Sequence, residues 1–278
     1  MLASAGARVT LVCATNGDVG EISDPILATP ENLWQVRKQE LRNAMDITGI
    51  SDVRFLDYRD SGMDGTDDNR HPNAYCNAGA DTVVDRLAEV IAEINPHVIL
   101  THDPSGGYGH PDHKTMCAHT TIAAERASDP DAATPLLYYV CFPRSVFQRW
   151  WQEMIDRGIE PPFAVDAIDS LGTPDEEVTT TLDVSVWVET KLTSLACHRT
   201  QISDDGPFEQ LPQDVLEFFI QTVLPTTPFL GRPIHGAAVN IREIRFPRGP
   251  RSRESIGIIY TVIEDDRTVE LAGIYLIS

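Results

Sequence analysis

The stretch Val98-Ile99-Leu100-Thr101-His102-Asp103-Pro104-Ser105-Gly106-Gly107-Tyr108-Gly109-His110-Pro111-Asp112-His113 decides the fold. An apolar run feeds a polar, glycine-rich bend, and Pro111 then opens what reads as a helix from Asp112 to Ala127. Proline fits the first helical position because its missing N–H has no partner there anyway. His110 therefore falls at the cap and His113 in the first turn. A strand that passes through a glycine loop into a helix start is where open α/β sheets place their ligands. The glycines let backbone approach a substrate closely. Two histidines at i, i+3 around an aspartate bring imidazole nitrogens near one point, which suits a divalent metal. The positive end of the helix favours neutral imidazole, the form that ligates. Spacing alone is a weak signal, and solvated or structural histidines are the plainer reading of it. The strand, the glycines and the proline shift the balance toward function.

Outward from this stretch the pattern alternates strand and helix. Upstream, Ala80 to Ile94 is amphipathic, with Val83, Val84, Leu87, Val90, Ile91 and Ile94 on one face. Before it, Val9 to Cys13 and Val53 to Leu56 read as buried strands around a helix from Leu33 to Gly49. Glu40 falls on the apolar stripe of that helix, whereas Arg37 lies mainly on the other side. Downstream, Leu136 to Phe142 is a strand, Arg144 to Arg157 a helix with Trp150 and Trp151 as core packing, and Thr179 to Val184 a short strand. Val186 to His198 reads as a helix, and Val215 to Thr222 as a further helix candidate. The alternation argues an α/β class with a doubly wound, mostly parallel sheet. From Val239 the character changes. Val239–Phe246, Ile256–Ile263 and Thr268–Ile277 alternate like an antiparallel hairpin with one more strand. The division expected is residues 1–235 as the main domain and 236–278 as a C-terminal antiparallel β extension, which either extends the sheet or mediates contact in a homo-oligomer. Leu2 to Ala7 resembles the last turn of a helix with its glycine cap. No strand precedes it, so a first β-α element is expected to be absent.

Composition bounds the partners. The chain has 278 residues, 42% hydrophobic, and a net charge of −20. That charge argues against nucleic acid or an anionic membrane, because both need basic surface. No apolar run approaches the ~20 residues of a membrane span, and no signal peptide pattern is present. Five scattered cysteines without a C-x-x-C pair read as reduced thiols of a cytoplasmic protein. No G-x-G-x-x-G follows the first strand, which counts against a dinucleotide site. Other strand ends are polar as well. Asn16-Gly17-Asp18-Val19-Gly20-Glu21 offers Asp18 and Glu21 to a polyol or ammonium, with solvated loop acids as the plainer reading. Arg37 faces either a hydroxyl or solvent. The acidic loop from Asp57 to Arg70 is too long for mere connection, so it is a functional lid or disordered. His198 is either a catalytic imidazole or a cation on a helix C-terminus.

The Gly106–His113 string, preceded by Thr101-His102-Asp103-Pro104, resembles the LmbE/PIG-L family of zinc-dependent N-deacetylases. Three further stretches fit in the same order: Ala7 to Gly17, Arg59-Asp60-Ser61-Gly62-Met63 with Gly65-Thr66, and Lys191-Leu192 through His198-Arg199-Thr200-Gln201. The resemblance is to the branch acting on mycothiol and its precursors, and runs over residues 5–205. It implies a Rossmann-like fold and hydrolysis of an N-acetyl group from an amino sugar, a small-molecule substrate. It implies His113 as a Zn2+ ligand, and His110 as the residue that stabilises the tetrahedral intermediate or protonates the leaving amine. Tyr108 matches a tyrosine that hydrogen-bonds the oxyanion. Asp60 and Arg37 match positions that bind sugar hydroxyls. Zinc lowers the pKa of its water to ~7 and polarises the carbonyl, which is what amide hydrolysis needs. The sequence departs from the family at one place. The family's Ala-His-Pro-Asp-Asp-Glu string, which supplies two zinc ligands and the general base, is not among these 278 residues. His71-Pro72-Asn73 is no substitute, since it has no carboxylate. Two expectations stay open: an amidohydrolase whose coding sequence begins at an internal Met, or a metal-free, non-catalytic sugar- or partner-binding homologue.

Overall fold

The structure is a computed structural model. It describes residues 1–127, 135–158 and 171–202, together with four strand backbones at 226–231, 241–247, 255–263 and 268–277. The first unit is β1 (Thr10–Thr15), α1 (Leu33–Thr48) and β2 (Asp52–Tyr58), with β1 and β2 parallel from Thr10↔Asp52 to Thr15↔Tyr58. α1 stops at Gly49, which takes φ 79°. The Ile50 N–H then closes back on Met45 O at 2.9 Å, a left-handed glycine stop. α2 (Ala80–Ile94) ends the same way on Asn95, φ 48°.

β3 (Val98–His102) leads into α3 (Pro111–Arg126), and β4 (Leu136–Val140) pairs with β3 in parallel, Val98↔Leu136 to His102↔Val140. α4 (Arg144–Asp156), β5 (Thr180–Asp183) and α5 (Val188–Leu195) follow. The last four strands are β6 (Thr226–Gly231), β7 (Ile241–Pro247), β8 (Ser255–Ile263) and β9 (Thr268–Ile277). β6 lies antiparallel between β4 and β5, giving the order β3-β4-β6-β5. β7, β8 and β9 form an antiparallel meander of their own.

The sequence reading is altered in three places. β6 is a strand that the periodicity does not reveal, and through it β5 joins the sheet by antiparallel bonds instead of parallel ones. β1 is half-buried along its whole length, not buried, because β2 alone is bonded to it among the described residues. The helix expected from Val186 shortens to α5, preceded by a 3₁₀ turn at Ser185–Trp187. The helix candidate at Val215–Thr222 lies outside the described residues.

The core forms where α2 and α3 cover the first sheet. Val83, Val84 and Leu87 of α2 pack on Leu56, Tyr75 and Ala123, with Val12 and Ala14 of β1 at the margin. Full burial of each such side chain stabilises by roughly 1.5–3 kcal/mol. All five cysteines are unpaired, and Cys117 and Cys141 are buried. Among the described residues, no helix is long and apolar enough to cross a membrane.

Candidate active site

β3 ends at His102, and the loop 103–110 turns the chain into α3. Gly106 and Gly107 both take left-handed backbone, φ 70° and 71°. A Cβ on Gly106 would lie 2.9 Å from His110 O and 3.1 Å from Lys114 N, so only glycine allows this loop to fold back on the helix start. His110 is the N-cap of α3, and its Nδ1 accepts the Asp112 N–H at 3.2 Å. His113 donates from Nδ1 to the Gly106 carbonyl at 3.1 Å, the only role that a carbonyl leaves to that nitrogen. In their neutral forms the two imidazoles are thus opposite tautomers. His110 carries its proton on Nε2, and His113 presents a bare Nε2.

The rings form a compact group. His102 stacks flat on His113 at 3.9 Å, His110 lies 4.9 Å from His113, and the Tyr108 ring stands edge-on to His113 at 5.3 Å. Burial, then the neighbouring His113, pushes His102 down to about 4. Burial also lowers His113 and raises the Tyr108 phenol, so the first stays neutral and the second stays protonated.

Two carboxylates meet this group. Asp60 accepts the Gly62 N–H at 2.7 Å, and its own N–H is held by Asp18 Oδ1 at 2.9 Å. Asp112 is 6% exposed, and Ser61 holds it through both its N–H and its hydroxyl. Burial raises Asp112 despite those bonds. One donor atom from each of Asp60, His110 and Asp112 lies within 4.8 Å of the others. Carboxylates beside the bare Nε2 of His113 are the donor chemistry of a borderline divalent ion, so this group of residues fits a divalent metal. The backbone carbonyl on His113 Nδ1 is the usual support of a ligating histidine.

Not every candidate residue joins this cluster. Arg37 donates to the Gly17 and Glu21 carbonyls at 2.7 and 2.8 Å, clamping the loop that carries Asp18. Asp18 braces Asp60 from behind. Glu21 is exposed, and only its carbonyl is engaged with Arg37. The acidic loop expected to be a lid or disordered is ordered by its own polar groups: Arg59 pairs with Asp68, and Asn69 holds Gly65 N and Ser61 O. His71 is tied to Asn73 N. Sequence reasoning did not assign roles to Ser61, Asp103 or Thr173. The one signal for Asp103 was its place directly after a strand and before the glycines.

Comparison with known proteins follows the same direction. Residues 1–124 match the PIG-L family, described as GlcNAc-PI de-N-acetylase. A protein of Acidothermus cellulolyticus named 1D-myo-inositol 2-acetamido-2-deoxy-alpha-D-glucopyranoside deacetylase is 39% identical over 225 residues, covering 77% of this chain and 76% of that one. A Thermobifida fusca protein of the same name is 40% identical over 220 residues, 73% and 77% of the two chains. The solved N,N'-diacetylchitobiose deacetylase of Pyrococcus horikoshii shares the fold, with a TM-score of 0.50 at 19% identity over 84% of this chain and 75% of that one. These relationships make the chain an amidohydrolase of the N-deacetylase class. It belongs to the PIG-L family.

Proposed function

We propose that this site hydrolyses the N-acetyl amide of an N-acetylglucosaminyl substrate, of the kind named in its relatives, with zinc. The architecture proposed with it is a Rossmann-like domain over 1–235 and a β extension over 236–278. The observation that supports the chemistry best is the opposed protonation of His110 and His113. One ring offers a proton and the other a lone pair, 4.9 Å apart.

His113 through its bare Nε2, with the Asp112 carboxylate of the neighbouring cluster, would hold the ion. Bound zinc supplies a Lewis acid for the amide carbonyl and a water of lowered pKa. The remaining work falls to side chains. His110 bears its proton on Nε2, fixed there by the Asp112 amide at Nδ1, and donates a hydrogen bond from it to the charged tetrahedral intermediate. Tyr108, kept protonated, donates to the oxygen that gains charge. Asp60, anchored through Gly62 N, accepts a sugar hydroxyl. Arg37 and Asp18 set the rim on which Asp60 rests.

The test is acetate release from a 2-acetamido-2-deoxyglucopyranosyl inositol, with zinc and with a chelator. Chelator-sensitive release that falls at least ~10²-fold in His110→Ala is expected, the lower end of what losing one oxyanion donor costs. A folded, zinc-supplied chain without release would sink the proposal. Calorimetric binding of the same glycoside without acetate release would select a non-catalytic binder instead.

A further inference from the structure

Asp103 is 2% exposed and makes no salt bridge among the described residues. A buried carboxylate without a cation is costly unless hydrogen bonds surround it. They do. Ser105 Oγ lies 2.9 Å from both carboxylate oxygens, and the Gly107 N–H donates to Oδ1 at 2.8 Å. Thr173 Oγ1 donates to Oδ2 at 3.2 Å. Thr173 is itself fixed, since its N–H donates to Phe142 O and its carbonyl accepts from Arg144 N, each at 2.8 Å. The Asp103 carbonyl also accepts the Gly106 N–H at 3.0 Å.

The Gly107 N–H and the Gly106 C=O belong to one peptide group. Being trans and planar, that group points them in opposite directions. Its N–H ends on the Asp103 carboxylate at 2.8 Å, and its C=O ends on His113 Nδ1 at 3.1 Å. A negative charge on the N–H side polarises the peptide and makes its oxygen a better acceptor. Left-handed backbone on both sides, at Gly106 and Gly107, permits this orientation.

We propose that Asp103 is a positioning residue that acts through the Gly106–Gly107 peptide to lock His113 in its Nδ1–H tautomer, leaving Nε2 bare and aimed for ligation. The arrangement is a carboxylate–imidazole pair with a peptide group interposed. It rests on the proposed role of His113 as a ligand, but its signature is read without metal or turnover.

The experiment is ¹⁵N–¹H correlation of the imidazole nitrogens in the full-length, metal-free chain, with His113→Gln for assignment. It is run about two pH units above the ordinary imidazole value of ~6.5, so that only neutral tautomers are compared. The wild type is expected to show a protonated Nδ1 and a bare Nε2 at His113. Asp103→Asn keeps the shape and removes the charge. Both nitrogens should then move toward the common position of exchanging tautomers, while His110 keeps its Nε2 proton. In the zinc-supplied enzyme, kcat should fall about 10–100-fold, as for other supports of a ligating histidine, with KM held within twofold. An unchanged His113 pattern in a folded Asp103→Asn chain overturns the proposal. Should that variant not fold, Thr173→Val releases one carboxylate oxygen and is expected to shift His113 partway, with Thr173→Ser restoring the wild-type pattern. No shift in Thr173→Val overturns it equally. A wild type without amidase activity but with the expected tautomer shift fails the functional reading and leaves this one standing.

Discussion

His110 and His113 carry their protons on different nitrogens because different backbone groups meet their Nδ1 atoms. The same economy of contacts leaves several histidines hard to charge. Burial lowers His102, His113, His119 and His198 from the ordinary value of 6.5, His102 to about 4. Between about 4 and 6.5 the unfolded chain binds protons that the folded chain refuses. Stability is therefore full above 6.5 and falls as pH drops toward 4. Asp112 works the other way. Its folded value is raised above the ordinary 3.8, so it adds stability at low pH that is lost as pH rises. Four imidazoles oppose Asp112, and the melting midpoint of the metal-free chain should fall between pH 7 and 4. His119 is buried, with Nδ1 3.3 Å from the Tyr75 hydroxyl, and lies away from the proposed ligands. His119→Gln should flatten the acid-side slope. A slope identical to the wild type would show that His119 is not one of the groups responsible.

The elements locate these residues through contacts that differ in how far they reach along the chain. α1 has an acid on its apolar stripe, and in the structure Glu40 is 6% exposed. Its two oxygens accept the Thr200 N–H and hydroxyl at 2.8 and 2.7 Å, 160 residues downstream. Ser23 joins the same seam, its N–H on Thr200 O and its hydroxyl on Arg199 O. Glu40 thus pins the 198–201 turn against the loop that Arg37 clamps. Bonds to a charged group are worth about 1.5–3 kcal/mol each, and an amide can replace only part of them. Glu40→Gln should lower unfolding stability by about 1–3 kcal/mol in denaturant. Amide exchange at Thr200 should speed up while α2 is unchanged. Thr200 protection that survives the substitution would mean that the seam does not depend on this carboxylate. The example also separates what a sequence discloses from what it hides. A glutamate in a helix's apolar stripe announces a buried partner, yet nothing local names Thr200. Likewise the glycines and Pro111 disclose the loop and helix start, but not that Thr173 would reach Asp103 from another segment. β6 was hidden for a further reason: Thr226-Thr227-Pro228-Phe229-Leu230-Gly231 holds a proline, which usually marks an edge, and lacks alternation.

At the scale of the molecule, the division of the chain follows from which strands share bonds. β6 is bonded on both sides, to β4 through Tyr138↔Gly231 and to β5 through Thr180↔Phe229. It belongs to the sheet that ends at His102, so any cut before residue 231 would open that sheet. Among the described residues, β7, β8 and β9 bond only to one another, from Ile241↔Thr261 to Ser255↔Ile277. A meander needs only local pairing, the kind of contact that alternation along a sequence registers. The proposed boundary at 235 falls between the two bonded groups. A chain ending there should keep a single cooperative melt, with its midpoint within about 4 °C of the full length, the shift that ~1 kcal/mol produces at this size. The His113 tautomer pattern should persist in it as well, since none of its determinants lies beyond Thr173. A shortened chain that melts without cooperativity would mean that the meander completes the main core, and the two-part division would fail even with β7–β9 bonded as they are.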